Sequence, residues 1–430
     1  MSASQTMILS RCGEVPQLAA DQAWAAHHVR DATSPEVLTL GIVGDIQELA
    51  AIAPEWNTLF DSAGAPHRIF QSFGFVELWT RIFLDQAHTA CRCRLAIVTA
   101  RRAGRLVLVW PLVVQRKMGH TVLSWLGQPV AQYADLLIDP DEQALPLLQA
   151  AYAHALRVLR PDVLRLRRVR QDAAIIPLLR TLGTRETSHA EAPFVALGPV
   201  AAHASFEDRQ SGKAKKNRRR LMRRLEEQGT VDIAHTAGTE AAAALVSTAL
   251  EIKREWAMRR GLFAPSLAEQ RFDTFLQAAA RAGTCATGCT VFSLSLDGRP
   301  VAIAVGFVCK HRLMLHLITH AEEIEKYGAG ILNLEAILRW AEQHGMEAVD
   351  MLPPTADYKL HWADAATPVS DHSLGLTTIG RGIVALLDGI VKPLARYTLE
   401  RLPLGLRQRL VDHQFAGRYR RRSTSRERNS

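Results

Sequence analysis

The run RLMLHLITHAEEIEKYGAGILNLEAILRWAEQHGMEAVDML, from Arg312 to Leu352, decides the fold. Its opening, Arg312 to Thr319, is apolar at most positions and reads as a strand. Side chains alternate along a strand, which predicts Met314, His316 and Ile318 on one face and Leu313, Leu315 and Leu317 on the other. After a polar link, Glu325-Lys326-Tyr327-Gly328-Ala329-Gly330 leads into a segment where Ile331, Leu334, Leu338 and Ala341 recur at helical spacing, and Gly345 ends it. Glu347 to Leu352 reads as a further strand. A helix that begins on small residues leaves backbone N–H groups unpaired and lets an anion come close. Lys326, Gly328, Ala329, Gly330 and Ile331 are therefore candidates for a phosphate cradle.

Upstream of this unit, strands are predicted at Val291 to Leu296, Pro300 to Val308 and Arg312 to Thr319, the first two joined by an Asp297-Gly298 hairpin turn. Before them come a helix over Thr239 to Arg260 and a second one opened by the capping pattern Ser266-x-x-Glu269. The same order occurs earlier in the chain. Asp45-x-x-Glu48 opens a helix that places Leu49, Ile52, Trp56 and Leu59 on one face, and a second helix follows Ser72. Strands at Arg94 to Ala100, Arg105 to Gln115, Thr121 to Leu126 and Ala134 to Ile138 precede a helix over Asp141 to Leu159 and a strand over Val163 to Val169. The chain is thus read as α+β, with one plan used twice: a mobile leader at 1–37, an N-terminal domain at 38–200, a C-terminal domain at 201–375 and a basic helical tail at 376–430. The turn equivalent to Gly328 in the first half is Asp139-Pro140-Asp141-Glu142, which carries three acids and no glycine, so only the second half is expected to hold an anion.

At 430 residues, with 48% hydrophobic and 22% charged residues, the composition is that of a globular protein and excludes a disordered or collagen-like chain. No uncharged run reaches the ~20 residues that a membrane-spanning helix needs. Met1 to Arg30 lacks the pattern of a secretory signal, which predicts a cytoplasmic protein. Six cysteines are too sparse for a disulfide framework, and their spacings suit no metal site. The net charge of +9 is local: 209–224 contributes nine cations and no acid, 396–430 contributes ten arginines against three acids, and the rest of the chain is acidic. The first run has no aromatic residue to stack on bases, and its charge suits RNA, phosphate groups or an anionic surface equally.

Ser124, Ser211 and Ser370 lack a Gly-x-Ser-x-Gly setting, and no His-Glu-x-x-His helix occurs, so serine-nucleophile and zinc-hydrolase chemistry are not supported. The strand, x-x-Gly-x-Gly turn, helix and strand instead resemble the acyl-CoA pyrophosphate site of GNAT acyltransferases. Asp350 followed by Asp357-Tyr358-Lys359-Leu360-His361-Trp362 resembles the ending of the CelD-like branch of polysaccharide biosynthesis, more distantly related to FemAB-type aminoacyl transferases. Trp56, Phe70-x-Ser72 and the basic segment Lys213 to Glu227 share that likeness, which spans about residues 40–375. Glu325 departs from it, standing where many GNAT proteins carry Gln or Arg.

The resemblance implies direct transfer of an acyl group, acetyl in the simplest case, from acyl-CoA to an amine or hydroxyl of a small-molecule or glycan acceptor, without a metal. A backbone N–H near Leu317 or Ile318, in the cofactor site, is then the expected oxyanion donor, Asp350 the base and Tyr358 the proton donor to the thiolate. Lys359 is expected to pair with Asp350 or bind a substrate anion, and His316 faces the same region. Two other readings stay open: an aminoacyl transferase drawing on tRNA, the one role for nucleic acid, and a non-catalytic scaffold of polysaccharide assembly. In the tail, Ile383, Val384, Leu387, Ile390, Val391 and Leu394 recur at helical intervals among basic residues. That pattern predicts a contact, separate from the catalytic fold, with an anionic membrane on its inner face or with a partner protein.

Overall fold

The computed structural model describes residues 37–84, 93–117, 119–198, 201 and 205–426. The leader, apart from Val37, lies outside them, as do Cys12 and Cys91.

The first half opens with β1 (Leu38–Val43), the helices α1 (Ile46–Ala51), α2 (Ala53–Ala63) and α3 (Phe73–Leu84), and a 3₁₀ turn at Pro66–Gln71. Asp45 caps α1 by accepting from the Gln47 and Glu48 N–H groups, as its sequence pattern predicts. The two long strands that follow are each broken in the middle, at Ala96 and Pro111. They give β2 (Cys93–Leu95), β3 (Ile97–Arg102), β4 (Arg105–Trp110) and β5 (Leu112–Lys117), then β6 (His120–Trp125) and β7 (Leu137–Ile138). The breaks send one end of the hairpin into a four-stranded sheet, β1-β3-β4-β7, and the other into an eleven-stranded one. Pro111 has no N–H to give to a ladder, which suits it to that corner. α4 (Ala144–Leu159), β8 (Val163–Arg170), α5 (Ile176–Leu182) and β9 (Arg185–Ala196) complete the half.

The second half runs α6 (Gly212–Glu226), β10 (Val231–Thr236), α7 (Glu240–Arg259), α8 (Gln270–Thr287), β11 (Cys289–Leu296), β12 (Arg299–Cys309) and β13 (Arg312–His320). It continues with α9 (Ala329–Gln343), β14 (Ala348–Asp350), α10 (Asp357–Trp362) and β15 (Ala365–Gly375). The sequence places the start of α8 at Ser266. In the structure Pro265–Ala268 is a separate single turn, and Glu269 is the cap of α8, accepting from the Arg271 N–H. The link before α9 is a 3₁₀ turn, Glu322–Tyr327.

The large sheet has the order β10-β11-β12-β13-β14-β9-β15-β8-β6-β5-β2. The halves are joined by an exchange. β9 of the first half pairs with β14 of the second, and β15 of the second half lies between β8 and β9 of the first. Neither β9 nor β15 stands out in the sequence, being polar and carrying Pro193 and Pro368. One hydrophobic core crosses the same boundary: Phe75 of α3 meets Phe275 of α8 at 4.9 Å between ring centroids, and Phe70 meets Phe307 at 5.9 Å. Burying side chains of this size contributes about 1.5–3 kcal/mol each.

The C-terminal helices α11 (Thr378–Leu386), α12 (Lys392–Arg401) and α13 (Leu404–Arg426) correct one expectation. Val411 and Phe415 are each 1% exposed and belong to the main core, so this segment is part of the fold and not a detached tail. Among the described residues no helix is long and apolar enough to cross a membrane.

Candidate active site

β13 pairs with parallel β14 only through Arg312, Leu313 and Met314, opposite Ala348, Val349 and Asp350. Beyond that point the two strands part. The remaining six residues of β13, to His320, span ~20 Å of extended backbone, and α9 starts just past their end.

A β-bulge lies at the point of parting. Gly306 of β12 is opposite Leu315 and Val305 is opposite Leu317, which leaves His316 as the extra residue. The strict alternation read from the sequence therefore fails here. Met314 and Leu317 face the main core, while Leu313, Leu315 and Ile318 pack in another cluster, because the inserted residue shifts the phase of every side chain after it. His316 lies among the rings of Phe70, Phe272 and Phe307. Its Nε2 is 2.7 Å from the Val130 carbonyl oxygen, which can only accept, so Nε2 carries the proton. Nδ1 is left as a buried lone pair without a hydrogen-bond partner. Burial lowers the pKa of this histidine to about 4, so the ring is neutral at ordinary pH.

At the other end of the open edge, Gly328 caps α9 with φ +75°, and no side chain caps the helix. A Cβ at Gly328 would lie 2.9 Å from Leu221 of α6, and one at Gly330 would lie 2.9 Å from His320 Nδ1. The glycines of the predicted cradle thus serve close packing as well as open N–H groups. Ala329 is buried and Ile331 is exposed, while Lys326 turns its ammonium over the Tyr327 ring at 4.9 Å. Glu325, the departure from the expected pattern, faces Arg260 at 3.9 Å.

Between these ends runs a row of cations. Lys253 of α7 donates to the Ile318 carbonyl at 3.1 Å, and burial lowers its pKa to about 8. Lys359 of α10 donates to the Leu352 and Pro354 carbonyls at 2.7 and 2.8 Å. Burial, and in smaller part the charge of Lys253, also bring Lys359 to about 8. Its expected ion pair with Asp350 is not formed, because the two carbonyls hold the ammonium. Lys253 was missed at the sequence level, although the signal was present: it sits on the stripe Val246, Ala249, Leu250, Arg254 and Ala257, the buried face of α7.

Asp350 is 1% exposed and does not meet solvent. Both its oxygens accept from the Tyr133 hydroxyl at 2.9 Å, Oδ1 also accepts from the Leu352 N–H at 2.9 Å, and Arg170 lies 3.5 Å away. Burial raises its pKa while Arg170 pulls it down. With its lone pairs committed to Tyr133, Leu352 and Arg170, Asp350 braces the two halves and is not presented to a substrate. Tyr133 and Arg170, both from the first half, were not singled out from the sequence. Tyr358 is 46% exposed, and partial desolvation raises its pKa, which keeps the phenol protonated.

Helix α6 packs beside the start of α9. Ser211 caps it, Leu221 and Leu225 anchor it, and Arg218 is buried against Glu335 at 2.6 Å, with its guanidinium 5.6 Å from the centre of the Trp362 ring. The basic run of the sequence is therefore divided: Arg218 is structural, while Lys213, Arg219, Arg220, Arg223 and Arg224 are exposed or half-exposed.

Residues 212–360, which contain the row of groups just described, match the acetyltransferase (GNAT) domain family. No curated protein matches the chain. Among solved structures it is similar to FemX, at 10% identity and a TM-score of 0.52, covering 78% of this chain and 98% of that one. It is also similar to a tandem GNAT protein from the clavulanic acid biosynthesis pathway (13% identity, TM-score 0.43, 79% and 98% covered). A third is L-PGS from Bacillus licheniformis (11% identity, TM-score 0.46, 79% and 95% covered). At such identities the likeness is one of fold. Residues 212–360 thus carry an acetyltransferase (GNAT) domain, and the chain is an acyltransferase.

Proposed function

We propose that the enzyme transfers an acyl group, acetyl in the simplest case, from acyl-CoA directly to an amine or hydroxyl of a small-molecule or glycan acceptor. A polysaccharide or envelope precursor made in the cytoplasm, as in the CelD-like branch, is the acceptor class this reading favours. The observation that carries the proposal is the open edge of β13, which runs from His316 to the uncapped N-terminus of α9. Its ~20 Å suits an extended pantetheine arm, and the N–H groups of Ala329, Gly330 and Ile331 suit a pyrophosphate. Lys326 adds a nearby positive charge. The division of labour is then a donor site in 201–375 and an acceptor wall supplied by 38–200.

In this reading the nucleophile attacks the thioester carbonyl, and its proton passes to Nδ1 of neutral His316. The role of base, expected for Asp350, moves to His316. A backbone N–H near Leu317 or Ile318 stabilises the oxyanion as the C–S bond breaks. Tyr358 protonates the departing thiolate, and Lys359 and Lys253 supply positive potential along the donor. Asp350 and Tyr133 position the parted strands.

The exposed cations of α6 beside the α9 N-terminus favour a second donor, an aminoacyl-tRNA. Calorimetric titration with CoA and with tRNA separates the two. Binding of CoA that Gly330→Val abolishes, with no competition from tRNA, is the expected outcome. Binding of tRNA alone overturns the acyl-CoA reading, and binding of neither favours a scaffold.

A further inference from the structure

We propose that helices α11 to α13 form a docking surface for an anionic lipid bilayer that holds the enzyme body at the membrane face. The inference is independent of which acyl donor is used.

The segment from Thr378 to Arg401 uses two opposite faces. One is packed. Gly380 lies so close to the Asp162 carbonyl that a Cβ has no room, Val384 is buried against Val122 and Val163, and the buried Asp388 pairs with Arg165 at 3.3 Å and Lys392 at 2.5 Å. The apolar positions that the sequence places on one stripe are therefore divided, with Val384 turned inward and Ile390, Val391 and Leu394 outward. The second face is apolar and open: Ile379, Leu386, Ile390, Leu394 and Tyr397 recur at helical intervals and are each more than half exposed. Leu404, Leu406 and Leu410 of α13 extend the exposure. Of the nineteen large apolar side chains exposed among the described residues, ten fall between 379 and 410. That concentration exceeds the scattered single residues of an ordinary surface and marks a contact.

Charge identifies the occupant. Arg381, Lys392, Arg401 and Arg409 are exposed around the apolar residues, while of the acids nearby Asp388 is turned inward and Asp412 is exposed on α13. A second copy docked by the same face would bring these cations against their own kind. A bilayer with anionic headgroups accepts the apolar stripe at its acyl boundary and pairs with the surrounding cations. The surface is fixed to the enzyme: Val411 and Phe415 are buried in the core, and Gln408 donates to the Arg259 carbonyl at 2.7 Å. Docking therefore orients the catalytic body, which suits an acceptor carried on or near a lipid.

The test is co-sedimentation of the full-length protein with phosphatidylglycerol–phosphatidylcholine vesicles and with phosphatidylcholine alone. Pelleting with the anionic vesicles, reduced at high salt, is expected. The triple variant Leu386→Gln, Ile390→Gln, Leu394→Gln changes only exposed positions and should lower partitioning at least about tenfold, with the thermal midpoint unchanged. Arg381→Glu with Arg409→Glu should abolish the preference for anionic vesicles. Absence of pelleting at low salt overturns the proposal, as does partitioning that neither variant changes. A lipid-free dimer that the triple variant splits would assign the face to a second copy and overturn it as well.

Discussion

The two halves start their crossover helices in opposite ways. In the first half, α4 begins after Asp139-Pro140-Asp141-Glu142, and two of the three acids are already paired. Asp139 pairs with Arg105 and accepts the Asp141 N–H, while Glu142 holds Arg102 in a two-bonded fork at 2.7 and 2.9 Å. The turn is closed by its own ion pairs. Neither helix has a side-chain cap, but in the second half α9 begins at Gly328, and Lys253, Lys359 and the unpaired nitrogen of His316 lie along the approach to it. The duplicated fold has thus kept its architecture in both copies while the turn before the crossover helix differs, with ion-paired acids in one and glycines in the other. A site needs groups that the fold itself does not satisfy.

The comparison breaks most sharply at His316. Its replacement by Gln should lower kcat by about 10²–10⁴-fold, the usual contribution of a general base, with CoA affinity unchanged. Ser124→Ala, on the matching first-half strand β6, should leave turnover intact. Equal activity of His316→Gln and the native enzyme would remove the base from this site.

Gly330→Val tests the cradle. The added side chain meets His320 at a spot where even a Cβ is tight, and overpacking of this kind costs about 1–3 kcal/mol of stability. Thermal shift by CoA should vanish while the variant remains folded at 25 °C. A retained shift would move the donor site elsewhere.

The buried lysines make the second half pH-sensitive. Lys253 and Lys359 titrate near 8 in the folded protein, below their ordinary value of 10.5. Between pH 8 and 10.5 the unfolded chain binds more protons at these positions than the folded one, so their linkage makes stability rise with pH across that window. Denaturant unfolding at pH 8 and pH 10 should show this gain in the native protein and a smaller gain in the Lys253→Met, Lys359→Met double variant. An equal pH dependence in both would show that the lysines are not desolvated.

The smallest effect belongs to the closed turn. Arg102→Ala removes a partly exposed fork and should cost no more than about 1 kcal/mol, without changing CoA binding. A loss of CoA binding would show that the first-half turn also takes part in the site.

Sequence alone determined what depends on neighbours within a few residues. The capped α1, the Asp297-Gly298 hairpin, the Gly-initiated α9 and the repeated order of elements are all local patterns, set by backbone geometry and by the 2.0 and 3.6 periodicities. Tertiary structure decided the rest. β9 and β15 are polar strands with a proline each, and only their partners across the boundary between halves make them strands. The bulge at His316 depends on the register with β12, so alternation along one strand does not reveal it. Asp350 became a brace and not a base because Tyr133 and Arg170, more than 170 residues away in sequence, close around it. Phe415 is core because it meets the rest of the core from outside the repeated unit. In each case the deciding energy is burial or pairing between segments far apart in the chain, a term absent from any local pattern.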